Sequence, residues 1–197
     1  MQKTEKFLKK YIFYGKMIVM YYGLPINHYY LGGGCLLQIG DKVVYPMHGA
    51  GVISGIEKCD VLGEGRSYYV LQMPLGDMKV MIPADKADHI GLRDVIPEAR
   101  VDEVRDVLED EPERLMGTWN RRYHTNLERL KSGDICDAAA VTRNLVIQER
   151  ERRISAGERR LLDLARQIVV SELVYACDKS PAEVEVWMDD ILAANNT

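Results

Sequence analysis

The sequence lacks most of the signatures by which chemistry announces itself. It has no G-x-x-x-x-G-K-[ST] loop, and Gly49-Ala50-Gly51 and Gly63-Glu64-Gly65 lie between expected strands instead of opening a helix. No backbone cradle for a nucleotide phosphate exists, which excludes an ATPase. The four cysteines, Cys35, Cys59, Cys136 and Cys177, stand 24, 77 and 41 positions apart. That spacing excludes a zinc knuckle and a redox dithiol and fits inert thiols in a cytoplasmic chain. The four histidines, His28, His48, His89 and His124, offer no i,i+4 pair and no acid–His helix spacing, so a zinc-protease site is excluded. Cys59 has no base beside it in sequence, and Asp189-Asp190 falls on a solvated terminal helix. No enzymatic activity, cofactor, metal or small-molecule substrate is expected. A hydrolase with a composite site would need a deep polar pocket holding His48 or His89 beside carboxylates. A membrane role is not expected either. Lys16, Pro25 and Asn27 interrupt every apolar stretch near the start, well short of the ~18 residues a span needs, and no small-residue cleavage site follows cleanly.

What is there is unevenly distributed. The chain has 197 residues and a net charge of −4, but residues 1–34 carry five lysines and one glutamate, residues 35–97 sum to −2, and residues 98–197 to −6. Residues 1–34 also hold six of the eleven tyrosines and both phenylalanines. Residues 1–37 are therefore set apart as an accessory extension, expected to be poorly ordered, with a short helix possible over residues 4–22.

From Gln38 the apolar pattern takes period two. Runs at 42–45, 51–56, 67–71 and 78–82 are rich in β-branched and aromatic residues and are separated by glycine, proline and aspartate, the pattern of short strands joined by tight turns. A last strand is expected over Asp88 to Ile90. Five short strands in residues 38–96 suit a small Tudor/SH3-like β-barrel, a fold that commonly binds along an exposed strand edge.

After Pro97 the period becomes 3.6. Ser155-Ala-Gly-Glu158 and Ser180-Pro-Ala-Glu183 have the capping-box form, in which serine and glutamate satisfy each other's free backbone N–H groups. Asp134 and Thr118 mark two more helix starts, and a leading helix is expected near Val101–Glu109. Residues 98–197 thus form an all-helical bundle of about five helices, and the fold class is a two-domain β + α chain.

Charge is segregated inside that helical part. Residues 114–166 hold twelve basic side chains, eleven of them arginine, against seven acidic, while 98–113 sum to −6 and 167–197 to −5. Arginine suits phosphate because its planar fork donates two parallel hydrogen bonds. The alternative is a solvated helix face with internal pairs such as Glu149 with Arg153. In Trp119-Asn120-Arg121-Arg122-Tyr123-His124 an aromatic side chain stands beside paired arginines on the first turn of a helix. Such a group can lean on a base step while the arginines hold phosphates. Equally, Trp119, Tyr123, Leu127 and Leu130 have helical spacing, so Trp119 could begin a core stripe.

Four stretches carry a resemblance: residues 39–51 (IGDKVVYPMHGAG), 76–83 (GDMKVMIP), 119–130 (WNRRYHTNLERL) and 155–161 (SAGERRL). In this order they make residues 38–194 resemble the CarD/CdnL family of bacterial transcription regulators. The resemblance implies a Tudor-like domain that pairs with the β subunit of RNA polymerase. It also implies a helical domain that contacts promoter DNA at the upstream edge of the transcription bubble. There a tryptophan wedges into the minor groove and stabilises the open complex. On this chain the wedge falls on Trp119 and the phosphate contacts on Arg121 and Arg122, with His124 at a position often basic in the family and so weaker at neutral pH. Arg150, Arg153, Arg159 and Arg160 complete the candidate DNA-binding set. The strand Met78, Lys79, Val80, Met81 and Ile82 is the candidate polymerase contact, Met81 supplying adaptable apolar area. Some members use two barrel arginines where this chain has Cys59 and Met81. The competing possibility is an adaptor whose barrel serves another protein, such as a repair factor.

Overall fold

The computed structural model describes residues 11–14, 17–20, 37–61, 64–76, 78–113 and 116–194. Seven strands come first: β1 (Tyr11–Tyr14), β2 (Met17–Met20), β3 (Lys42–Tyr45), β4 (Gly49–Val61), β5 (Glu64–Gln72), β6 (Lys79–Pro83) and β7 (Arg93–Asp94). Five helices follow: α1 (Val101–Glu109), α2 (Trp119–Ser132), α3 (Ile135–Glu151), α4 (Ala156–Ala176) and α5 (Pro181–Ala194). The two apolar periodicities thus translate into a sheet followed by a bundle.

The sheet runs β1-β2-β6-β5-β4-β3-β7. Strands β3 to β7 form a five-stranded antiparallel unit. One face presents Val43, Tyr45, Ile53, Tyr69, Leu71, Val80 and Ile82 to a common core, as the two-residue period requires. A register shift between Ile53 and Gly55 bends the long β4, and there Ser54 Oγ donates to Val70 O at 3.1 Å.

Two expectations fail here. Residues 11–14 and 17–20 are strands paired antiparallel, not helix; isoleucine, valine, tyrosine and phenylalanine favour a pleated backbone. The rest of that extension lies outside the described residues. The strand expected over Asp88 to Ile90 is instead a 3₁₀ segment, Ala84–His89, and the last strand falls at Arg93–Asp94. Pro83 just before the segment has no N–H to continue the ladder.

The helix starts match their caps. Thr118 accepts from Arg121 N, Asp134 from Cys136 N, and Ser155 and Glu158 form a complete capping box. The bundle core gathers Val104, Leu108, Leu130, Ile135, Leu145, Leu161, Val169, Leu173, Met188 and Leu192. Helix α4 also packs on the sheet: Ala50 N donates to Ser171 Oγ at 2.9 Å, and Gln167 Nε2 to His48 O at 3.2 Å. No helix among the described residues is long and apolar enough to cross a membrane.

Candidate nucleic-acid interface

Helix α2 opens where Gly117, at φ 112°, turns the chain into the Thr118 cap. This turn places Trp119 on the first helical position with 42% of its surface exposed. Tyr123 and Leu127 pack against the bundle core and Leu130 is buried in it, so the helical stripe begins one turn after Trp119. The indole is nevertheless held. Its Nε1–H donates to Ser155 Oγ at 2.8 Å, and its ring stacks on Tyr123 with centroids 5.3 Å apart at 28°. Gly157 lies against it too; a Cβ there would stand 3.1 Å from indole Cζ2.

Ser155 uses its hydroxyl fully. It accepts from Trp119 and from Glu158 N, and donates to Glu158 Oε2 at 2.8 Å, which is one donor and two lone pairs. Glu158, buried, also accepts from Ser155 N at 3.0 Å and Gln148 Nε2 at 3.2 Å. Arg122 Nη2 lies 3.7 Å from its other oxygen, while Arg122 Nη1 donates to Gly117 O at 2.8 Å. Burial pushes the Glu158 carboxyl up, but the hydrogen bonds from Ser155 and Gln148 and the charge of Arg122 outweigh it and hold the carboxyl below its ordinary value of 4.5. Because the folded pKa is depressed, the stabilisation is complete above the ordinary value and is lost as pH falls through the folded one. Trp119 fluorescence in the free protein should therefore stay flat from neutral pH down to the ordinary carboxylate range and change only in stronger acid. A transition near neutrality would contradict this arrangement.

The remaining candidates divide. Arg121 and His124 are exposed on α2, His124 edge-on to Tyr123 at 5.9 Å. Arg159, on the first turn of α4, donates to Glu149 at 2.7 Å, so Glu149 takes this partner and not the expected Arg153. Arg153 and Arg160 are exposed. Arg150 turns away from α2 and donates to Leu192 O of α5 at 2.6 Å. Met116, three residues before Trp119, is 83% exposed.

The other candidate set departs from expectation. Lys79 is exposed and Met78 and Cys59 are half-buried, but Val80, Met81 and Ile82 are buried. Met81 has 3% of its surface exposed and joins Tyr68 and Cys59 on the sheet face away from the main core, so it does not offer the open apolar area expected of it. Nor is β6 a free edge: β2 pairs with it in parallel, Met17 opposite Lys79, Ile18 opposite Val80 and Val19 opposite Met81. His89 is exposed and His48 lies tilted at 42° against Tyr45 with ring centroids 4.5 Å apart, and no three His, Cys, Asp or Glu residues gather as a metal site among the described residues.

Two groups carry no signal of their role in the sequence. Ser155 and Glu158 are visible as a cap, but their tie to Trp119, 36 positions away, is not. Arg93 and Glu172, which join sheet to bundle, have no local mark at all.

Comparison with known proteins agrees with this layout. Residues 37–96 match the CarD-like/TRCF RID domain, and residues 103–189 match the CarD C-terminal domain. The chain is 37% identical over 139 residues to YdeB of Bacillus subtilis (strain 168), which its name gives as a candidate transcription factor; the match spans 70% of this chain and 90% of that protein. A Tudor-like sheet, five helices and these matches together make the chain a member of the CarD family of transcription factors.

Proposed function

We propose that this protein docks on the β subunit of RNA polymerase through its sheet and sets Trp119 against promoter DNA at the upstream edge of the bubble, stabilising the open complex without catalysis. The observation that carries this reading is the exposed indole, fixed from behind by Ser155, Tyr123 and Gly157. A rigid apolar plate beside cations leans on a base step while phosphates are held. Arg121 stands on the surface to take a phosphate, with His124 one turn on. Arg122 braces the Gly117 turn and Glu158, so it supports the wedge from within. Arg153 and Arg160, exposed at the same end of α4, extend the cationic surface for the DNA backbone, and Arg159 joins them when it exchanges Glu149 for a phosphate. Such a protein works in the cytoplasm, where the polymerase is.

Arg121→Gln tests the DNA arm of this reading. Binding of the polymerase-bound protein to promoter DNA should weaken alike across sequences, and its salt dependence should flatten by ~0.9 log unit if Arg121 neutralises one phosphate. Sequence-selective weakening would mean base readout instead.

The docking arm has a consequence for the extension. Strand pairing by polymerase at β6 and pairing by β2 use the same backbone groups, so they exclude each other. Ile18→Pro removes a backbone N–H from β2 and should tighten polymerase binding. Unchanged binding would move docking away from the β6 edge.

A further inference from the structure

Helices α2 and α4 are fastened to each other at one end by Trp119 and Ser155. Their other ends converge on a single residue of the sheet. Arg93, on β7, donates from Nε and Nη2 to Gly133 O at 2.9 and 2.7 Å, from Nη1 and Nη2 to the Glu172 carboxylate at 2.5 and 2.8 Å, and from Nη1 to Asp94 O at 2.9 Å. All five guanidinium N–H groups are used. Gly133 is the C-cap of α2, left-handed at φ 76°, and Pro46 of the sheet lies against it, 3.3 Å from where a Cβ would be. Glu172 belongs to α4, is fully buried, and also accepts from Ile96 N at 3.1 Å.

The geometry is that of a closed frame. From Trp119 to Gly133 α2 spans about 21 Å, and from Ser155 to Glu172 α4 spans about 25 Å, at ~1.5 Å per residue. Each helix is pinned at both ends, and at the sheet end the pin is shared. A rotation of the bundle against the sheet would have to break the Arg93 bonds to Gly133 or to Glu172. A fold needs a packed interface here, but it does not need one guanidinium to touch both wedge-bearing helices.

We propose that Arg93 is a positioning residue: with Glu172 and Gly133 O it sets the angle between the docking sheet and the Trp119 wedge. A polymerase-bound protein then presents the wedge at one fixed place. This rests on the reading of Trp119 as a wedge on promoter DNA. Arg93 itself touches no DNA.

The test compares Arg93→Lys, the double variant Arg93→Met/Glu172→Met, and Trp119→Ala in the full chain. Each is measured for polymerase affinity, for thermal unfolding and for open-complex lifetime. Lysine keeps the charge but has three donors and no planar fork. Two methionines replace the ion pair by apolar volume and so strand neither charge, at the smaller cost of leaving Ile96 N and Gly133 O without these partners. Both variants should keep polymerase affinity yet shorten the open-complex lifetime toward that of Trp119→Ala, since displacing a positioned group by about an ångström can cost up to about 100-fold. A folded Arg93→Lys or double-methionine protein with full lifetime would overturn the proposal, since the pair would then be merely structural. If Arg93→Lys unfolds, the double variant decides alone. If Trp119→Ala leaves the lifetime unchanged, the wedge reading itself is wrong and the positioning role falls with it; if only Trp119→Ala shortens the lifetime, positioning by Arg93 alone is refuted.

Discussion

Trp119→Ala should return the open complex to nearly the lifetime it has with polymerase alone, while the protein stays folded. The folded state loses one indole hydrogen bond to Ser155, worth about 1 kcal/mol, and the stack on Tyr123, worth roughly another. The side chain is 42% exposed and stands outside the buried core, so no large cavity opens. A total near ~2 kcal/mol shifts the midpoint of thermal unfolding of a chain this size by roughly 4–8 °C. The DNA side loses far more in relative terms. Unstacking a base step costs a few kcal/mol and is compensated only by what inserts there, and each ~1.4 kcal/mol removed from the barrier shortens the lifetime tenfold. Competitor-challenged decay of the open complex, read beside a thermal melt, separates the two. An unfolded variant, or an unchanged lifetime in a folded one, would remove Trp119 from the role given to it.

Glu172→Ala should be the most destabilising single change at the junction of sheet and bundle. The carboxylate is fully buried and accepts from Arg93 twice and from Ile96 N. Its removal strands a partly buried guanidinium and an amide together. Breaking one side of a buried pair costs about 3–5 kcal/mol, a fall of roughly 6–20 °C in the unfolding midpoint for a chain of this length. Glu172→Gln, which retains an acceptor for both groups, should lose distinctly less. Equal losses for the two would mean that packing, not the ion pair, holds the junction.

What the sequence made legible and what it did not divide along one line, the separation of interacting residues. The capping boxes at 155 and 180, the Thr118 and Asp134 caps and the leading helix Val101–Glu109 are local features, three or four residues wide in their signals, and they fall where the pattern put them. Strands β3 to β6 follow from local alternation in the same way. The 3₁₀ segment Ala84–His89 escapes such a reading because a short turn after Pro83 leaves no periodicity. The Ser155–Trp119, Arg93–Glu172 and Ala50–Ser171 bonds join residues 36, 79 and 121 positions apart, and nothing local marks either partner. Parallel pairing of β2 with β6 is likewise invisible: residues 17–20 fall in the stretch read as a possible helix, and β6 alone reads as a strand with no stated neighbour. Met81 shows the same limit: its type suggested an adaptable surface, but its position beside Tyr68 buries it. The aromatic beside two arginines was legible as a candidate site; how the three divide the work was not, because only the fold turns Arg122 inward and leaves Arg121 out.

On the proposed function, this protein prolongs the life of the open promoter complex. The direct measurement is the decay of preformed complexes of purified polymerase on one promoter after a competitor is added, with and without the protein. Decay should be slower when the protein is present, with the gain abolished in Trp119→Ala. Identical decay with and without the wild-type protein, at concentrations where it is bound to polymerase, would contradict it.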